Sequence, residues 1–271
     1  MERKESKSTR LRVIDVEQDI ISSLPDHVTD QILSHLPIRD AVRTSVLSSK
    51  WRYKWITLPD LVFNRGCLSK DFQDSSVMRR KLLTVIDHIL LLHSGPIGRP
   101  VPSLPYSLLS FFVHLPHLQS LGMGRYFIKY LAAGVVPVKL PTPCINLSYL
   151  NLGIRFNNLK EISALLCLLR NSPNLQKLEL YAGKTTLLES ASYCWEDIFL
   201  GPAMPLEMRH VSIQGIYGIK SQLDLIKFLL LYSPELEHMI VNPVENANPK
   251  LMTELIRFRR ASRQVEVLYD V

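Results

Sequence analysis

One six-residue pattern, with apolar side chains at its first, fourth and sixth positions, returns five times in this chain and limits its fold more than any other feature. It occurs as Leu118/Leu121/Met123, Leu147/Leu150/Leu152, Leu175/Leu178/Leu180, Met208/Val211/Ile213 and Leu236/Met239/Val241. The first positions lie 29, 28, 33 and 28 residues apart (118 to 147, 147 to 175, 175 to 208 and 208 to 236). Alternating apolar positions mark a strand with one buried face. Between the strands lie amphipathic helical stretches, one carrying Ile162, Leu165, Leu166 and Leu169, one Leu225, Ile226, Leu229 and Leu230, and one Leu251, Leu255 and Phe258. The joint from helix back to strand recurs as Asn171-Ser172-Pro173-Asn174-Leu175 and Tyr232-Ser233-Pro234-Glu235-Leu236. A unit of one strand and one helix cannot bury its own apolar face, so the units must stack on one another. Strands linked in this way run in the same direction and form a parallel sheet.

The period is that of a leucine-rich repeat, and the expected fold is α/β: a short right-handed solenoid whose strands line a concave face. Val265, Val267 and Tyr269 supply a terminal strand. The repeated leucines are core. Recognition falls to the strand residues that alternate with them: Gln119 and Ser120, Ser148 and Tyr149, Asn151, Gln176 and Lys177, Glu179, Arg209 and His210, and Glu237 and His238.

Residues 23–55 have a different character, with three short helices in about 35 residues, too few to bury much surface alone. Ser23 can cap the first helix, with Pro25 in its first turn and Val28, Ile32, Leu33 and Leu36 as its apolar stripe. Pro37 ends it. Asp40 opens a second helix carrying Ala41, Val42, Ser45 and Val46. Ser48 can cap a third, with Trp51 and Trp55 on one face. The module is then either a plain helical cap on the following domain, or Leu24, Pro25, Ile32, Leu36, Val46 and Trp51 form an exposed apolar set that docks on another protein.

This run, from Leu24-Pro25-Asp26 through Ile38-Arg39-Asp40-Ala41-Val42-Arg43 to Trp51-Arg52-Tyr53-Lys54-Trp55, resembles the F-box of plant F-box proteins. The segments around Leu223–Val241 and Glu254–Tyr269, together with Cys194-Trp195-Glu196-Asp197, resemble plant F-box/FBD/leucine-rich-repeat proteins. The resemblance implies docking to a Skp-type adaptor, and through it to a cullin, within a ubiquitin ligase. Leu24, Pro25, Ile32, Leu36, Val46 and Trp51 would make the adaptor surface, and the repeats would bind a protein target. With the tail, linker and repeats read from the residues and the F-box and FBD region from the resemblance, the chain divides into a basic tail (1–21, disordered), the F-box (22–62), a helix and Pro-rich linker (63–105), repeats (106–201) and the FBD region (202–271). Family members carry more repeats. Here the join that holds Pro96, Pro100, Pro102 and Pro105 stands where they are expected.

The net charge of +7 raises a nucleic-acid reading, through the tail and through Arg257, Arg259, Arg260 and Arg263. The tail lacks interleaved aromatics and no recognition-helix motif occurs, which favours a solvated basic face. A third reading is a regulator that occupies the adaptor without holding a target. No phosphate-binding loop, dinucleotide fingerprint, zincin motif or serine-nucleophile elbow is present, so the chain is expected to be non-catalytic and to need no cofactor or metal. The nearest histidine pair, His114 and His117, has no accompanying ligands. Four widely spaced cysteines, no apolar run long enough to span a bilayer and no secretory leader fit a protein of the cytoplasm or nucleus.

Overall fold

A computed structural model describes residues 20–63, 117–125, 142–183 and 205–269, together with 112, 128, 129, 132, 136, 137, 139 and 140. Most of the basic tail, the helix expected around 82–92, the Pro96–Pro105 join, His114 and Cys194–Asp197 lie outside the described residues. The helical part comprises α1 (Ile20–Ser23), α2 (Asp26–Ser34), α3 (Ile38–Arg43) and two single 3₁₀ turns, Thr44–Val46 and Lys54–Thr57. Then come β1 (Asp60–Phe63), β2 (Ser120–Met123), β3 (Tyr149–Ile154), α4 (Leu159–Arg170), β4 (Lys177–Ala182), β5 (His210–Ile216), α5 (Lys220–Tyr232), β6 (His238–Pro243), α6 (Leu251–Arg257) and β7 (Glu266–Tyr269). The seven strands form one sheet in chain order, and every neighbouring pair is parallel.

Register converts the repeated pattern into two rows of buried side chains. One runs Leu61, Leu121, Leu150, Leu178, Val211, Met239 and Val267, and the other Phe63, Met123, Leu152, Leu180, Ile213, Val241 and Tyr269. Up to β6 each of these side chains is essentially inaccessible. Val267 and Tyr269, at the outer edge, are only partly covered. All five expected strands exist, and so does the terminal one.

Sequence reading missed β1. Leu58/Leu61/Phe63 repeats the same spacing, but it sits at the end of the helical module and was assigned there. Its first position precedes Leu118 by 60 residues, about two repeat lengths, so the pattern looked isolated. The backbone shows that it is a true repeat. The Pro59 carbonyl accepts from the amides of Gln119 (2.8 Å) and Ser120 (3.1 Å), as the Gln119 carbonyl accepts from Ser148 and Tyr149, and the Ser148 carbonyl from Gln176 and Lys177. β1 bonds directly to β2, so no strand stands between them in the sheet.

Two further devices lock the units together. Glu161, the third residue of α4, is buried, and its carboxylate accepts from the Arg155 amide (2.8 Å), Nε (2.9 Å) and Nη2 (2.6 Å). Gln222, the third residue of α5, likewise accepts from the amides of Tyr217 and Gly218. Each side chain folds back on the loop that enters its helix and satisfies donors that would otherwise be stranded. On the helix side, the Asn171 carbonyl accepts from Cys144 N–H (2.7 Å) and the Tyr232 carbonyl from Leu206 N–H (2.7 Å). The recurring Ser-Pro joint therefore ties each unit to the one before it. Burial pushes the thiols of Cys144 and Cys167 up to about 12 and about 11, respectively.

In the helical module, α2 begins after Pro25, which stands at the N-cap with φ −60° and no side-chain capping bond. Ser23 donates instead to the Ile20 carbonyl, and residues 20 and 21, expected to end a disordered tail, belong to α1. The expected third helix is not α-helical. Turns lead into one 3₁₀ turn, and both Trp51 and Trp55 point inward. Their rings, with Leu33, Ile38, Ala41 and Val42, form a core continuous with β1 and the sheet.

That continuity has a measurable consequence. In a Trp195→Phe background, fluorescence from Trp51 and Trp55 reports the helical module and far-UV circular dichroism reports the whole chain. The two transitions should coincide in denaturant, and Leu61→Ala should shift both by about 2–5 kcal/mol. Glu161→Ala should cost about 3 kcal/mol or more, because it strands the Arg155 donors around an emptied site.

Candidate functional site

Two surfaces carry the candidate residues. The first is the helical module. Lys54 bridges Asp26 (3.1 Å) and Asp30 (3.4 Å), and Lys50 reaches Asp26 (3.5 Å) and the Leu24 carbonyl. Trp51 Nε1 donates to the Ile21 carbonyl at 3.0 Å. These contacts pin α1 and the start of α2 onto the segment around Trp51. The Lys54 hydrogen bond and charge hold the Asp26 carboxyl below its usual value. For Lys54 itself, partial burial works against the ammonium, but the two carboxylates outweigh it and raise the pKa.

Of the six residues expected on the adaptor-facing surface, Pro25, Ile32 and Val46 are exposed, Val46 most of all at 87%. Leu24 and Leu36 are half-buried and pack against the core. Trp51 departs from expectation: at 3% exposure it is a core side chain, because a module of three short helices needs large rings to fill its interior. The structure adds Ile20, Ile21, Leu47 and Tyr53 to the exposed apolar residues of the module. Ile20 and Ile21 preceded the recognisable pattern, and Leu47 lay one position beyond the residue chosen.

The second surface is the open face of the sheet, where residues alternating with the two buried rows form rows of their own. Tyr149, Lys177, His210, His238 and Glu266 are register partners in one row, and Asn151, Glu179 and Ser212 in the next. Glu179 is the hub. Its Oε2 accepts from Tyr149 Oη (2.8 Å), Asn151 Nδ2 (3.0 Å) and Tyr181 Oη (3.4 Å), and its Oε1 pairs with Lys177 Nζ (2.8 Å). Lys177 also lies over the Tyr149 ring, 5.2 Å from its centroid. Partial burial would push the Glu179 carboxyl up, but the Lys177 ammonium and the hydroxyl and amide donors outweigh it, and the net shift is downward. Burial raises the Tyr149 phenol, which stays a donor.

The sequence reading named Tyr149, Asn151, Lys177 and Glu179 separately, and the fold brings them into one network. It missed Tyr181, which follows Glu179 by two on the same face. Further along, Arg209 pairs with Glu237 (3.4 Å), and the His210 and His238 rings stack. Gln119, Ser148 and Gln176 serve the backbone rungs described above. Arg257, Arg259, Arg260 and Arg263 are all exposed, and one Arg260 nitrogen donates to the Val265 carbonyl. Among the described residues, no helix is long and apolar enough to cross a membrane.

The network sets a pH dependence with a definite sign. A carboxyl whose pKa is lower folded than unfolded stabilises the fold above its ordinary value, 4.5 here, and that contribution is lost as pH falls through the lowered value. Glu179→Gln should therefore lower stability at neutral pH and flatten the loss of stability between about pH 4.5 and more acidic conditions, read from denaturant midpoints across pH. Tyr149→Phe should cost about 1 kcal/mol, the net worth of one hydrogen bond.

Comparison with known proteins bears directly on these surfaces. The F-box domain family matches residues 21–62. An F-box/FBD/LRR-repeat protein of Arabidopsis thaliana is 25% identical over an alignment of 410 positions that covers 93% of this chain and 98% of the relative. An F-box/LRR-repeat protein of the same plant is 27% identical, over 91% of this chain and 90% of the relative. An FBD-associated F-box protein, also from Arabidopsis thaliana, is 49% identical over 57 residues, which cover 21% of this chain and 11% of the relative. With 271 residues to place on 410 positions, at least 139 positions of the first alignment lack a residue of this chain, the difference of the two lengths. The chain thus carries an F-box domain ahead of a parallel sheet with the leucine-rich-repeat spacing, and is similar along nearly its whole length to plant proteins named F-box/FBD/LRR-repeat proteins.

Proposed function

We propose that this chain is a substrate-recognition subunit of a Skp/cullin/F-box ubiquitin ligase. F-box domains generally bind Skp1-type adaptors, and F-box/LRR proteins are generally non-catalytic adaptor subunits. On this reading, Pro25, Ile32 and Val46, edged by Leu24 and Leu36, meet the adaptor, and Trp51 supports them from beneath. The open face of the sheet holds a target protein. Function then rests on position, because a target held near the transfer machinery reacts at high effective concentration.

The observation that carries this reading is the exposure of Ile32 and Val46 on a module whose interior is already filled by Leu33, Trp51 and Trp55. Val46 at 87% exposure adds little to the fold and Ile32 leaves 40% of its surface uncovered, and a docking surface would use both. On the open face, the Tyr149–Glu179 network supplies a half-buried, aromatic and polar patch. Aromatic anchors with a polar surround are typical of the centre of a protein interface.

Calorimetry of the full chain with a Skp-type adaptor tests the adaptor arm. Ile32→Glu combined with Val46→Glu should weaken binding at least tenfold, since each apolar side chain buried at an interface is worth about 1.5–3 kcal/mol. Tryptophan fluorescence and far-UV circular dichroism should stay unchanged and the unfolding midpoint should fall only slightly, because Val46 is 87% and Ile32 40% exposed. Unchanged affinity in the folded variant would overturn the proposed surface. For the target arm, proximity labelling with the intact chain should recover a ubiquitylated protein whose capture falls with Tyr149→Ala. Recovery of adaptor and cullin alone would favour a regulator that holds no target.

A further inference from the structure

Two histidines stand side by side at the start of adjacent strands. His210 opens β5, His238 opens β6, and the two are register partners. Their imidazoles stack with centroids 5.5 Å apart and planes within 6° of parallel. Glu237, one residue ahead of His238, joins them: one ligand atom from each of His210, Glu237 and His238 lies within 4.8 Å of the other two. The next strand adds Glu266, the register partner of His238, with Oε2 3.6 Å from His238 Nδ1.

We infer that His210, Glu237 and His238 form a binding site for a first-row divalent transition metal of the zinc class, with Glu266 placed to act as a fourth ligand. Two imidazoles and a carboxylate are the donor set that borderline metals prefer, whereas calcium and magnesium take oxygen ligands. A tetrahedral site with metal–ligand bonds of about 2.0–2.2 Å needs donors roughly 3.3 Å apart. Closing from the observed spacing needs only side-chain rotation, because all four side chains are exposed or half-exposed.

The backbone beneath them is fixed. The amides of Glu237 and His238 both donate to the Arg209 carbonyl (2.9 and 3.1 Å), and the Glu266 amide donates to the Glu237 carbonyl (2.9 Å). Ligands on adjoining strands of a hydrogen-bonded sheet are held more firmly than ligands on loops. Two cations stand beside the cluster: Lys177, the register partner of His210, is paired with Glu179 (2.8 Å), and Arg209 lies 3.4 Å from Glu237 Oε1. A carboxylate has two oxygens, so Glu237 can keep Arg209 on one and offer the other to a metal. Arg209 then orients the ligand from outside. The charges of Glu237 and Glu266 offset the arginine.

The site is independent of the adaptor and target reading, so it can be tested without either partner. The full chain, stripped with a chelator, would be titrated with Zn²⁺ by calorimetry and with Co²⁺ by visible absorption. The expected result is one equivalent bound with micromolar or tighter affinity, and Co²⁺ bands of a four-coordinate nitrogen–oxygen site without thiolate charge transfer. His210→Asn and His238→Asn should each weaken binding at least tenfold, and Glu237→Gln should weaken it measurably, with the circular dichroism spectrum unchanged. His27→Asn plus His35→Asn, on the exposed side of α2, should leave binding unaltered. No binding by the folded chain, binding indifferent to the His210→Asn/His238→Asn double variant, or Co²⁺–thiolate absorption from the cysteines would each overturn the assignment.

Discussion

The structure depends on one backbone rung. Just ahead of each strand from β1 to β5, a carbonyl accepts from two successive amides of the following repeat: Pro59 from Gln119 and Ser120, Gln119 from Ser148 and Tyr149, Ser148 from Gln176 and Lys177, Gln176 from Arg209 and His210, Arg209 from Glu237 and His238. Side chains alternate with period two, so a slip of one residue at any rung would turn a leucine row out to solvent. The rung fixes the register, the register builds the buried rows, and the open-face rows follow by alternation. The Glu179 network and the His210–His238 stack are therefore products of the same constraint that makes the core.

Much of this was legible in the sequence, and the gaps have physical causes. The strands were visible because the repeat leaves its period in apolar residues, which any solenoid must keep to bury its faces. The recognition residues on the open face followed from alternation, but their partners did not. Glu179 is hydrogen-bonded to residues two positions away and one repeat away, and only register decides which. Glu161 and Gln222 were invisible as structural residues, because a buried polar side chain at the third helix position looks like ordinary surface until the loop amides it accepts from are known. Pattern failed most at the helical module. Trp51 and Trp55 at i and i+4 suggested a helix with an exposed tryptophan. In a module this small, large rings are the cheapest way to fill a core, and burying them stabilises more than exposing one.

β1 changes how the two parts of the chain relate. The F-box match ends at residue 62, yet Leu61 and Phe63 lie in the buried rows of the sheet. The helical module is joined to the repeats by a shared strand and a continuous core, and Leu58, between Trp55 and β1, is itself buried. Inter-domain motion is the ordinary expectation for parts joined by polar linkers. Here the leucine row begins inside the module itself.

That junction bears on the difference in length between this chain and its relatives. More than a hundred positions of a near full-length relative have no counterpart in this chain, and β1 nonetheless pairs in register with β2. A parallel solenoid tolerates such a loss because each repeat contacts only its neighbours, and any two units with the same rung and the same leucine spacing can meet. In a solenoid of this kind, fewer repeats mean a shorter open face with the register of the remaining strands unchanged. Along the sheet, the Tyr149–Glu179 network lies two and three strands from β1, and the His210–His238 pair four and five. On the proposed reading, a target would be held correspondingly close to the adaptor-facing helices. In a protein that acts by proximity, the number of strands between docking surface and target site is itself a functional quantity.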